Sequence, residues 1–450
     1  MSSHAHERLA PDVARISPLR RISIVDDPRP EPTTPTPANL EGRIFVMLQG
    51  PPGPFFCLLG DRLRELGATV YRINFNGGDR HDWPGEGAID YRGTLANWPR
   101  FFDHFLRDNR ITNVMLFGDC RPMHRAAHGM AKLRNVDIHV FEEGYIRPDW
   151  VTMELDGVNG NSTLPRDPQW FLEQARILPP VPDLPPITAS FNRRVRDSYR
   201  YFHHLVTGCW RYPFYRSHRP GSVLTEGVRW GWKLMVSSKR VARQTERALR
   251  HVEGQDYFLF PLQLSSDYQI REHSPFDDMA SAACYVFDSF QHYAPSNTIL
   301  LVKEHPLDAG GRIWSRFIAK EARARGLEGR LIHIGGGDLA RLSEGSVGMV
   351  TVNSTSGTFA LAAGVPVVVL GEAIYNVPGL THQDGLDGYW ARPGRPDAAV
   401  WRAFHRVLHD RCLVRGGFAS ESAVTTLIQS VVRRVLAIPY ICRSEADCDI

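Results

Sequence analysis

Short apolar runs alternate with helix-length segments along most of this 450-residue chain, and the alternation starts twice. In the first half the apolar runs occupy residues 44–48, 69–75, 113–117 and 138–141. In the second half they occupy residues 257–260, 299–302, 331–334, 347–352 and 365–370. Strand-length runs separated by about a dozen residues of helical pattern are typical of βαβ units and a parallel sheet. The sequence therefore predicts two Rossmann-like α/β domains.

The two blocks of alternating strands and helices, together with the segments around them, divide the chain into five parts. Residues 1–40 are rich in proline and poor in apolar side chains, so a disordered tail is expected. Residues 41–165 and 253–438 are the two predicted Rossmann-like domains. Residues 166–252 are predicted to be an irregular connecting region, and 439–450 a second tail. Two such domains facing a central cleft make a GT-B-like α/β protein the predicted fold class.

Composition excludes several classes of protein. Hydrophobic residues make up 43% of the chain and charged residues 23%, which allows full cores in two domains. The net charge of +4 is too small to indicate nucleic-acid binding, and we expect no nucleic-acid partner. Seven scattered cysteines without a Cys-x-x-Cys pair are typical of a reducing compartment. With no apolar leader and no run of 18 apolar residues, a cytoplasmic protein is expected.

Two carboxylates and a glycine stand where the apolar run 138–141 ends, at Glu142, Glu143 and Gly144. Ligands of open parallel sheets bind outside the carboxyl ends of the strands, and neighbouring strand residues point to opposite faces. One of the two carboxylates is therefore expected in the cleft, as a general base or a nucleophile for group transfer to an alcohol. We favour Glu142, with Glu143 binding Arg147 or capping a helix. A solvated acidic turn is the competing interpretation.

Candidate phosphate-binding side chains follow two strands of the second block. Lys303 and His305 come directly after the run 299–302, where a histidine donor suits a phosphate oxygen or a leaving phosphate. Ser354, Thr355 and Ser356 follow the run 347–352 and precede a helical pattern. Hydroxyl residues at that place are N-caps in most proteins, and the same geometry also binds phosphate. A structural histidine and ordinary caps remain the alternatives.

Other strand ends carry candidates of lower rank. Gln49 and Gly50 follow the first apolar run and are placed in the loop over the acceptor. Asp119 and Arg121 follow the run 113–117 and are expected to line the same cleft. Gly336 lies in a three-glycine segment after the run 331–334, where backbone can approach a nucleotide.

Neither metal-ligand spacing nor a cofactor motif is visible. His124 and His128 have i,i+4 spacing on a predicted helix, but no glutamate follows the first histidine and no third ligand is evident. The Asp-x-Asp pair Asp447 and Asp449 lies in the predicted C-terminal tail. The sequence therefore predicts no metal site and no cofactor.

Taken together, these segments resemble capsular polysaccharide biosynthesis proteins of the KpsS/LipB type. The string Glu-Glu-Gly-Tyr-Ile-Arg-Pro-Asp at 142–149 is the most specific match, and the likeness covers about residues 43–435. The matching segments are 48–51, 55–56, 74–79, 116–121, 141–149, 152–154, 157–160 and 303–308.

The resemblance implies a CMP-Kdo-dependent transferase that starts or extends a β-linked Kdo linker on a phospholipid; Kdo is the acidic sugar 3-deoxy-manno-octulosonate. It implies a CMP-Kdo-like donor and a lysophospholipid or phosphatidylglycerol-type acceptor, with other capsule assembly proteins as partners. By this likeness 41–165 is the acceptor and catalytic domain, and 253–438 binds the nucleotide sugar. His305, Ser354 and Thr355 would hold the CMP phosphate, and Glu142 or Glu143 would be the reacting carboxylate.

Several alternatives stay open at this point. The reacting carboxylate is a base if the reaction inverts the anomeric configuration, and a possible nucleophile if it retains it. A non-catalytic capsule export or assembly factor would need neither His305 nor a strand-end glutamate. A transferase that uses a UDP-sugar would need a ribose-binding glutamate, for which Glu372 is the candidate.

The connecting region is basic and aromatic. Between residues 193 and 250 the chain has 14 Lys or Arg and three acidic residues, together with several tryptophans and tyrosines. Aromatic and basic side chains suit a headgroup-level interface with anionic lipid. The sequence therefore predicts a peripheral protein on the inner face of the inner membrane, and a nucleic-acid-binding or merely solvated face is the alternative. The predicted docking residues are Arg211, Trp230, Trp232, Lys239, Arg240 and Arg243.

Overall fold

Strands and helices alternate along the chain in the computed structural model, which describes residues 39–217, 238–264, 268–305, 308 and 313–438. The described residues cluster as one compact unit. Most of the predicted N-terminal tail and the whole predicted C-terminal tail lie outside the described residues.

The first sheet has seven strands in the order β12-β6-β5-β4-β1-β2-β3. Strands β3, β2, β1, β4 and β5 are parallel, β6 pairs antiparallel with β5, and β12 pairs antiparallel with β6. The strands are β1 Ile44–Met47, β2 Thr69–Asn74, β3 Ala88–Asp90, β4 Asn113–Phe117, β5 Asp137–Glu143, β6 Trp150–Leu155 and, from the far end of the chain, β12 Leu413–Arg415.

The second sheet has five parallel strands in the order β11-β10-β7-β8-β9. They are β7 Tyr257–Pro261, β8 Ile299–Lys303, β9 Leu331–Ile334, β10 Gly348–Thr351 and β11 Val367–Val369. In each sheet the third, second, first, fourth and fifth strands of the block lie side by side in that order. The order reverses beside the first strand, and such a switch point is where doubly wound sheets bind ligands.

Helices cover both faces of the two sheets, so alternate residues of one strand enter different cores. Phe45 and Met47 of β1 pack in one core, whereas Val46 and Leu48 pack in the core on the opposite face. Burial on both faces explains why the strands appear in the sequence as nearly continuous apolar runs. The helices are α1 Phe55–Glu65, α2 Gly77–His81, α3 Trp98–Asp108, α4 Pro122–Leu133, α5 Pro168–Ile177, α6 Phe191–Thr207, α7 Ser238–Val252, α8 Tyr268–Glu272, α9 Met279–Tyr293, α10 Trp314–Ala324, α11 Leu339–Glu344, α12 Ser356–Ala362, α13 Gly385–Tyr389, α14 Ala398–Arg411 and α15 Glu421–Ala437.

The predicted α/β fold with two Rossmann-like blocks is confirmed, and each of the nine predicted strands is present. Strands β3, β6 and β12 were not predicted. Two of them have only three residues, and β6 turns straight back from the Glu-Glu-Gly segment in a hairpin.

The connecting region 166–252 is largely helical where it is described, rather than irregular. Its helices pack alternately on the two halves of the protein. Helix α5 packs on α14 in the core that also contains β7 and β8, α6 packs on α2 beside the first sheet, and α7 packs on β9.

The C-terminal segment also departs from the predicted domain limits. Sequence limits of 253–438 place residues 413–437 with the second domain, whereas β12 joins the first sheet and α15 packs on α1. Val414 and Leu427 are buried in the same core as Phe55 and Met153, which explains why the segment returns to the first sheet.

Candidate functional site

The carboxyl ends of the two sheets contact each other through side chains at the ends of β4, β5 and β10. The Thr358 hydroxyl in α12 donates to the backbone oxygen of Tyr145, 3.1 Å away. The Arg125 guanidinium in α4 pairs with the Glu272 carboxylate of α8 at 2.7 Å. The Cys120 sulfur lies 3.1 Å from Nε2 of His273. The strand-end motifs of both halves therefore lie on facing edges.

Glu142 is the last residue but one of β5, and its carboxylate lies over the backbone of Gly118 at the end of β4. A Cβ built on Gly118 would lie 3.3 Å from Oε2 of Glu142, and the Glu143 N–H donates to Oε1 at 3.1 Å. Burial raises the pKa of Glu142 to about 7, helped by the charges of Glu143 and Asp119 and opposed by Arg121. Glu142 is therefore a carboxyl group that exchanges its proton near neutral pH.

Glu143 points away from Glu142, as alternation along a strand requires. Its carboxylate pairs with Arg194 of α6. Arg147 is exposed, and its Nε donates to the Gly144 carbonyl at 3.2 Å. A Cβ on Gly144 would lie 2.1 Å from the Trp150 carbonyl, so only glycine fits the turn into β6.

Asp119 is buried at the end of β4 and is held by groups from the loop after β6. Its Oδ2 accepts from the Val158 N–H and from the Asn161 side-chain amide, both at 3.1 Å. Its Oδ1 accepts from the Cys120 thiol at 3.2 Å. Burial and the neighbouring carboxylates raise the pKa of the Cys120 thiol far above its ordinary value. Asp119 and Arg121 thus lie with Glu142 in one charged group.

The segment after Glu143 is fixed by a buried tyrosine. The Tyr145 hydroxyl donates to Glu154 in β6 and accepts from the Asn159 N–H, each at 2.6 Å. The Ser162 hydroxyl donates to the other oxygen of Glu154 at 2.5 Å. Burial raises the pKa of Glu154 as well. This network holds the turn between β5 and β6 in one conformation. No sequence pattern indicates it.

Gln49 and Gly50 lie at the first switch point but are used in packing. The Gln49 side-chain amide donates to the Tyr201 hydroxyl at 2.5 Å and reaches the Tyr215 hydroxyl at 3.3 Å. A Cβ on Gly50 would contact the Phe56 ring at 2.9 Å. Both residues therefore attach the end of β1 to its neighbours.

The switch point of the second sheet is bridged by two amides. Gln263, after β7, donates to the Asn353 side chain at 2.8 Å and accepts from the Asn353 N–H at 3.2 Å. Asn353 also donates to the backbone oxygens of Gln269 and His273, at 2.7 and 3.2 Å. No sequence pattern indicates this pair, because 90 residues separate its members.

The predicted donor-side residues lie at the ends of β8, β9 and β10, and β7 separates β10 from β8. Lys303 is buried at the end of β8, and burial lowers the pKa of its ammonium group. His305 is half-buried two residues further on. After β10 the hydroxyls of Ser354 and Ser356 are 2.9 Å apart, and the Thr355 side chain does not cap α12.

Gly336 follows β9 and lies against α7. A Cβ there would come within 3.6 Å of Oγ1 of Thr245, a buried hydroxyl without a hydrogen-bond partner among the described residues. The glycine segment is thus a contact between β9 and α7 on the predicted donor side.

Comparison with known proteins assigns the family. The model for the family described as capsule polysaccharide biosynthesis protein matches residues 112–418, a span that runs from β4 to just beyond β12 and contains most of the residues above. The chain belongs to this capsule polysaccharide biosynthesis family. It is 33% identical to the capsule polysaccharide modification protein LipB of Neisseria meningitidis over 387 residues, which is 84% of this chain and 92% of that protein. It is also 33% identical to the capsule polysaccharide export protein KpsS of Escherichia coli, over 82% of this chain and 95% of that protein.

A search of solved structures returned a β-Kdo 2,7 transferase, KpsC of Thermosulfurimonas dismutans. The match has a TM-score of 0.42 and 12% sequence identity, and it covers 86% of this chain and 99% of that chain.

The predicted membrane-docking residues of this capsule biosynthesis protein are only partly described. The Arg211 guanidinium lies 2.7 Å from the Asp90 carboxylate, so its charge is already paired. Arg243 is exposed on α7. Trp230 and Trp232 lie outside the described residues, as do the side chains of Lys239 and Arg240. In the part of the chain that the structure describes, no helix is both long and apolar enough to cross a membrane.

Proposed function

We propose that this capsule biosynthesis protein transfers Kdo, or a similar acidic sugar, from a CMP-activated donor to a phospholipid-type acceptor. The observation that carries the proposal is Glu142. Its carboxylate lies at the end of a parallel strand, beside Arg121 and Asp119, and its pKa is raised to about 7. A carboxyl group with such a pKa exchanges protons with a substrate hydroxyl near neutral pH.

The donor side of the proposed site is the end of the second sheet. Lys303 and His305 would bind the phosphate of the CMP group, because cationic and N–H donors stabilise phosphate oxygens by charge-assisted hydrogen bonds. The hydroxyls of Ser354, Thr355 and Ser356 follow β10, two strands away from β8 at the same edge of the sheet, and would complete the phosphate contacts. Gly336 leaves room for the nucleoside beside β9.

In the reaction, the bond between the anomeric carbon and the phosphate oxygen breaks, and its electron pair leaves with CMP. A new bond forms between the anomeric carbon and the acceptor oxygen, whose proton passes to Glu142 or to solvent. Glu142 acts as the base in a direct displacement. In a two-step displacement it first bonds to the anomeric carbon, and the acceptor then replaces it. Both routes need the ionised carboxylate, and neither contains a step that requires a metal ion or an organic cofactor.

The proposed acceptor is a lipid, and α6 offers a surface suited to it. Phe191, Val195 and Tyr199 are exposed at i,i+4 spacing along this helix, and Trp210 is exposed just beyond it. Arg196 and Arg200 are exposed between them. Helix α6 also contacts the catalytic segment, because Arg194 pairs with Glu143. A bilayer bound there would present its headgroups close to the motif.

Vesicle co-sedimentation tests the lipid surface. Each basic residue near an anionic bilayer contributes about 1 kcal/mol, so the double variant Arg196→Glu/Arg200→Glu is expected to bind phosphatidylglycerol vesicles about tenfold more weakly or worse. The double variant Arg107→Glu/Arg323→Glu, on α3 and α10, is the control and should bind normally. Equal binding of the wild-type protein to neutral phosphatidylcholine vesicles, or no binding to either, would refute the surface.

Turnover tests the proposed function itself. The purified protein is incubated with CMP-Kdo and lysophosphatidylglycerol, CMP release is followed by chromatography, and the lipid product by mass spectrometry. We expect one Kdo added per CMP released, with a product whose anomeric configuration distinguishes the two routes. A folded protein that releases no CMP would contradict the proposal and leave the export-factor or UDP-sugar alternatives.

A further inference from the structure

Three side chains with metal-ligand atoms converge where the two halves of the protein meet. Cys120 lies between the other two, with its sulfur 3.1 Å from Nε2 of His273 and 3.2 Å from Oδ1 of Asp119. The three ligand atoms all lie within 4.8 Å of one another, and all three residues are buried. Among the described residues no other group of at least three His, Cys, Asp or Glu is arranged in this way.

We propose that Asp119, Cys120 and His273 bind a zinc ion. Thiolate, imidazole and carboxylate are the zinc ligands of proteins, and this mixed set favours zinc over the oxygen-preferring magnesium and calcium. Bonds of about 2.3 Å to sulfur and 2.0–2.1 Å to nitrogen place these two atoms about 3.5 Å apart in a tetrahedron. The present 3.1 Å therefore has to widen by only a few tenths of an ångström. A water molecule would take the fourth position.

Each ligand of the proposed site is oriented by a second contact. The Val158 N–H and the Asn161 amide hold Oδ2 of Asp119, which leaves Oδ1 directed at the sulfur. Nδ1 of His273 lies 3.6 Å from the Glu372 carboxylate, so Nε2 is the nitrogen that faces Cys120. A carboxylate behind a ligating histidine is the usual outer partner in zinc sites.

Cys120, His273 and Glu372 also have the order of a Cys-His-Glu nucleophilic triad. The position of Asp119 decides between such a triad and a zinc site. Its carboxylate oxygen lies 3.2 Å from the sulfur. Without a cation, that negative charge opposes the thiolate which a nucleophile needs. A zinc ion attracts both groups, so the negative charge that weakens a nucleophile strengthens a metal site. The ion would join the end of β4 to the segment after α8, and this role does not depend on sugar transfer.

Metal content and the cobalt spectrum test the proposal. The untagged full-length protein, prepared without chelators, is expected to retain one zinc per chain by elemental analysis. Exchange for cobalt should give the absorption band of a cobalt thiolate. Cys120→Ser should abolish the band and weaken zinc binding at least tenfold. The control is His405→Gln, which removes a member of the helical pair His405 and His409, where adventitious metal would bind.

Gly160→Ala tests the site without removing a ligand. A Cβ there would lie 2.3 Å from Nδ1 of His273 and 2.8 Å from Glu372, so the ring has to move. Loss of a contact that orients a ligating histidine, such as that between His273 and Glu372, weakens metal binding by about 10–100-fold. Wild-type protein without bound zinc or a cobalt-thiolate band would overturn the proposal, as would zinc retained unchanged by Cys120→Ser. If iodoacetamide alkylates Cys120 at the same rate with and without added zinc, the result would favour a free thiol instead of a zinc ligand.

Discussion

Replacing Glu142 by glutamine should raise the stability of the protein at alkaline pH while it removes the proposed transferase activity. Glu142 has an ordinary pKa of 4.5 in the unfolded chain and a pKa of about 7 in the folded protein. Above pH 7 the group is ionised in both states, and the buried carboxylate destabilises the fold. Since each pKa unit is worth about 1.4 kcal/mol, the full destabilisation is about 3 kcal/mol.

The sign of the pH dependence follows from proton binding. Below pH 4.5 the group is protonated in both states, and it has no effect on stability. Between pH 4.5 and 7 the folded state holds the proton more tightly, so stability falls as the pH rises. About 2 of the 3 kcal/mol are lost between pH 5.5 and 8. Glu142→Gln cannot ionise and should therefore gain stability over the wild-type protein across this interval.

Urea unfolding at pH 5.5 and pH 8 measures the effect, with Glu143→Gln for comparison. Glu143 forms a partly exposed ion pair with Arg194, so its loss should change stability by no more than about 1 kcal/mol. Turnover of Glu142→Gln should fall by about 10²–10⁴-fold, with Glu173→Gln on the exposed face of α5 as the control. In the wild-type protein kcat/KM should rise tenfold per pH unit and level off near pH 7. Equal stability of Glu142→Gln and wild type at pH 8, or turnover near the wild-type rate, would refute the reasoning.

Two further substitutions test other parts of the site. His305→Ala should weaken CMP binding in calorimetric titration by about 10–100-fold, because a charge-assisted hydrogen bond is worth about 1.5–3 kcal/mol. The control is His292→Ala, on the surface of α9. Unchanged CMP affinity of His305→Ala would remove His305 from the proposed donor site. Gly144→Ala should lower the midpoint of thermal unfolding, since the overpacked turn costs about 1–3 kcal/mol. Gly129→Ala in α4 is the control, because the new methyl group has open space around it and the midpoint should rise. A Gly144→Ala protein as stable as the wild type would show that the turn into β6 can adapt.

Parallel strands made most of the fold predictable from sequence. The first four residues of a strand such as β8 are apolar and buried, so it appears as an unbroken apolar run that ends at Lys303. Strands β3 and β12 carry no such signal, because each has only three residues and neither lies in a longer apolar run. Residues 413–437 were assigned to the wrong sheet because their apolar pattern shows that they are buried and says nothing about the partner that buries them.

For the candidate site, sequence indicates which residues stand at strand ends and leaves their long-range partners unknown. The positions of Glu142 and His305 follow from the alternation of strands and helices. The contacts of His273 with Cys120, and of Gln263 with Asn353, join residues 153 and 90 positions apart. Spacing along the chain does not predict contacts over such separations, and a sequence pattern therefore gives no sign of the contact between Cys120 and His273.

The helices of the connecting region and the C-terminal segment make the chain pass between its two halves at least four times. Helix α5 packs on the second half, α6 on the first, α7 on the second, and β12 with α15 on the first. The Arg43 side chain, at the entrance to β1, donates to the Val435 carbonyl near the end of α15. During synthesis the first sheet therefore lacks β12 and α15 until every strand of the second sheet has been translated. Multidomain proteins usually fold from the N-terminus, one domain after another. Here that order cannot hold for the first half, because its sheet and the packing on α1 are completed only by residues 413–437.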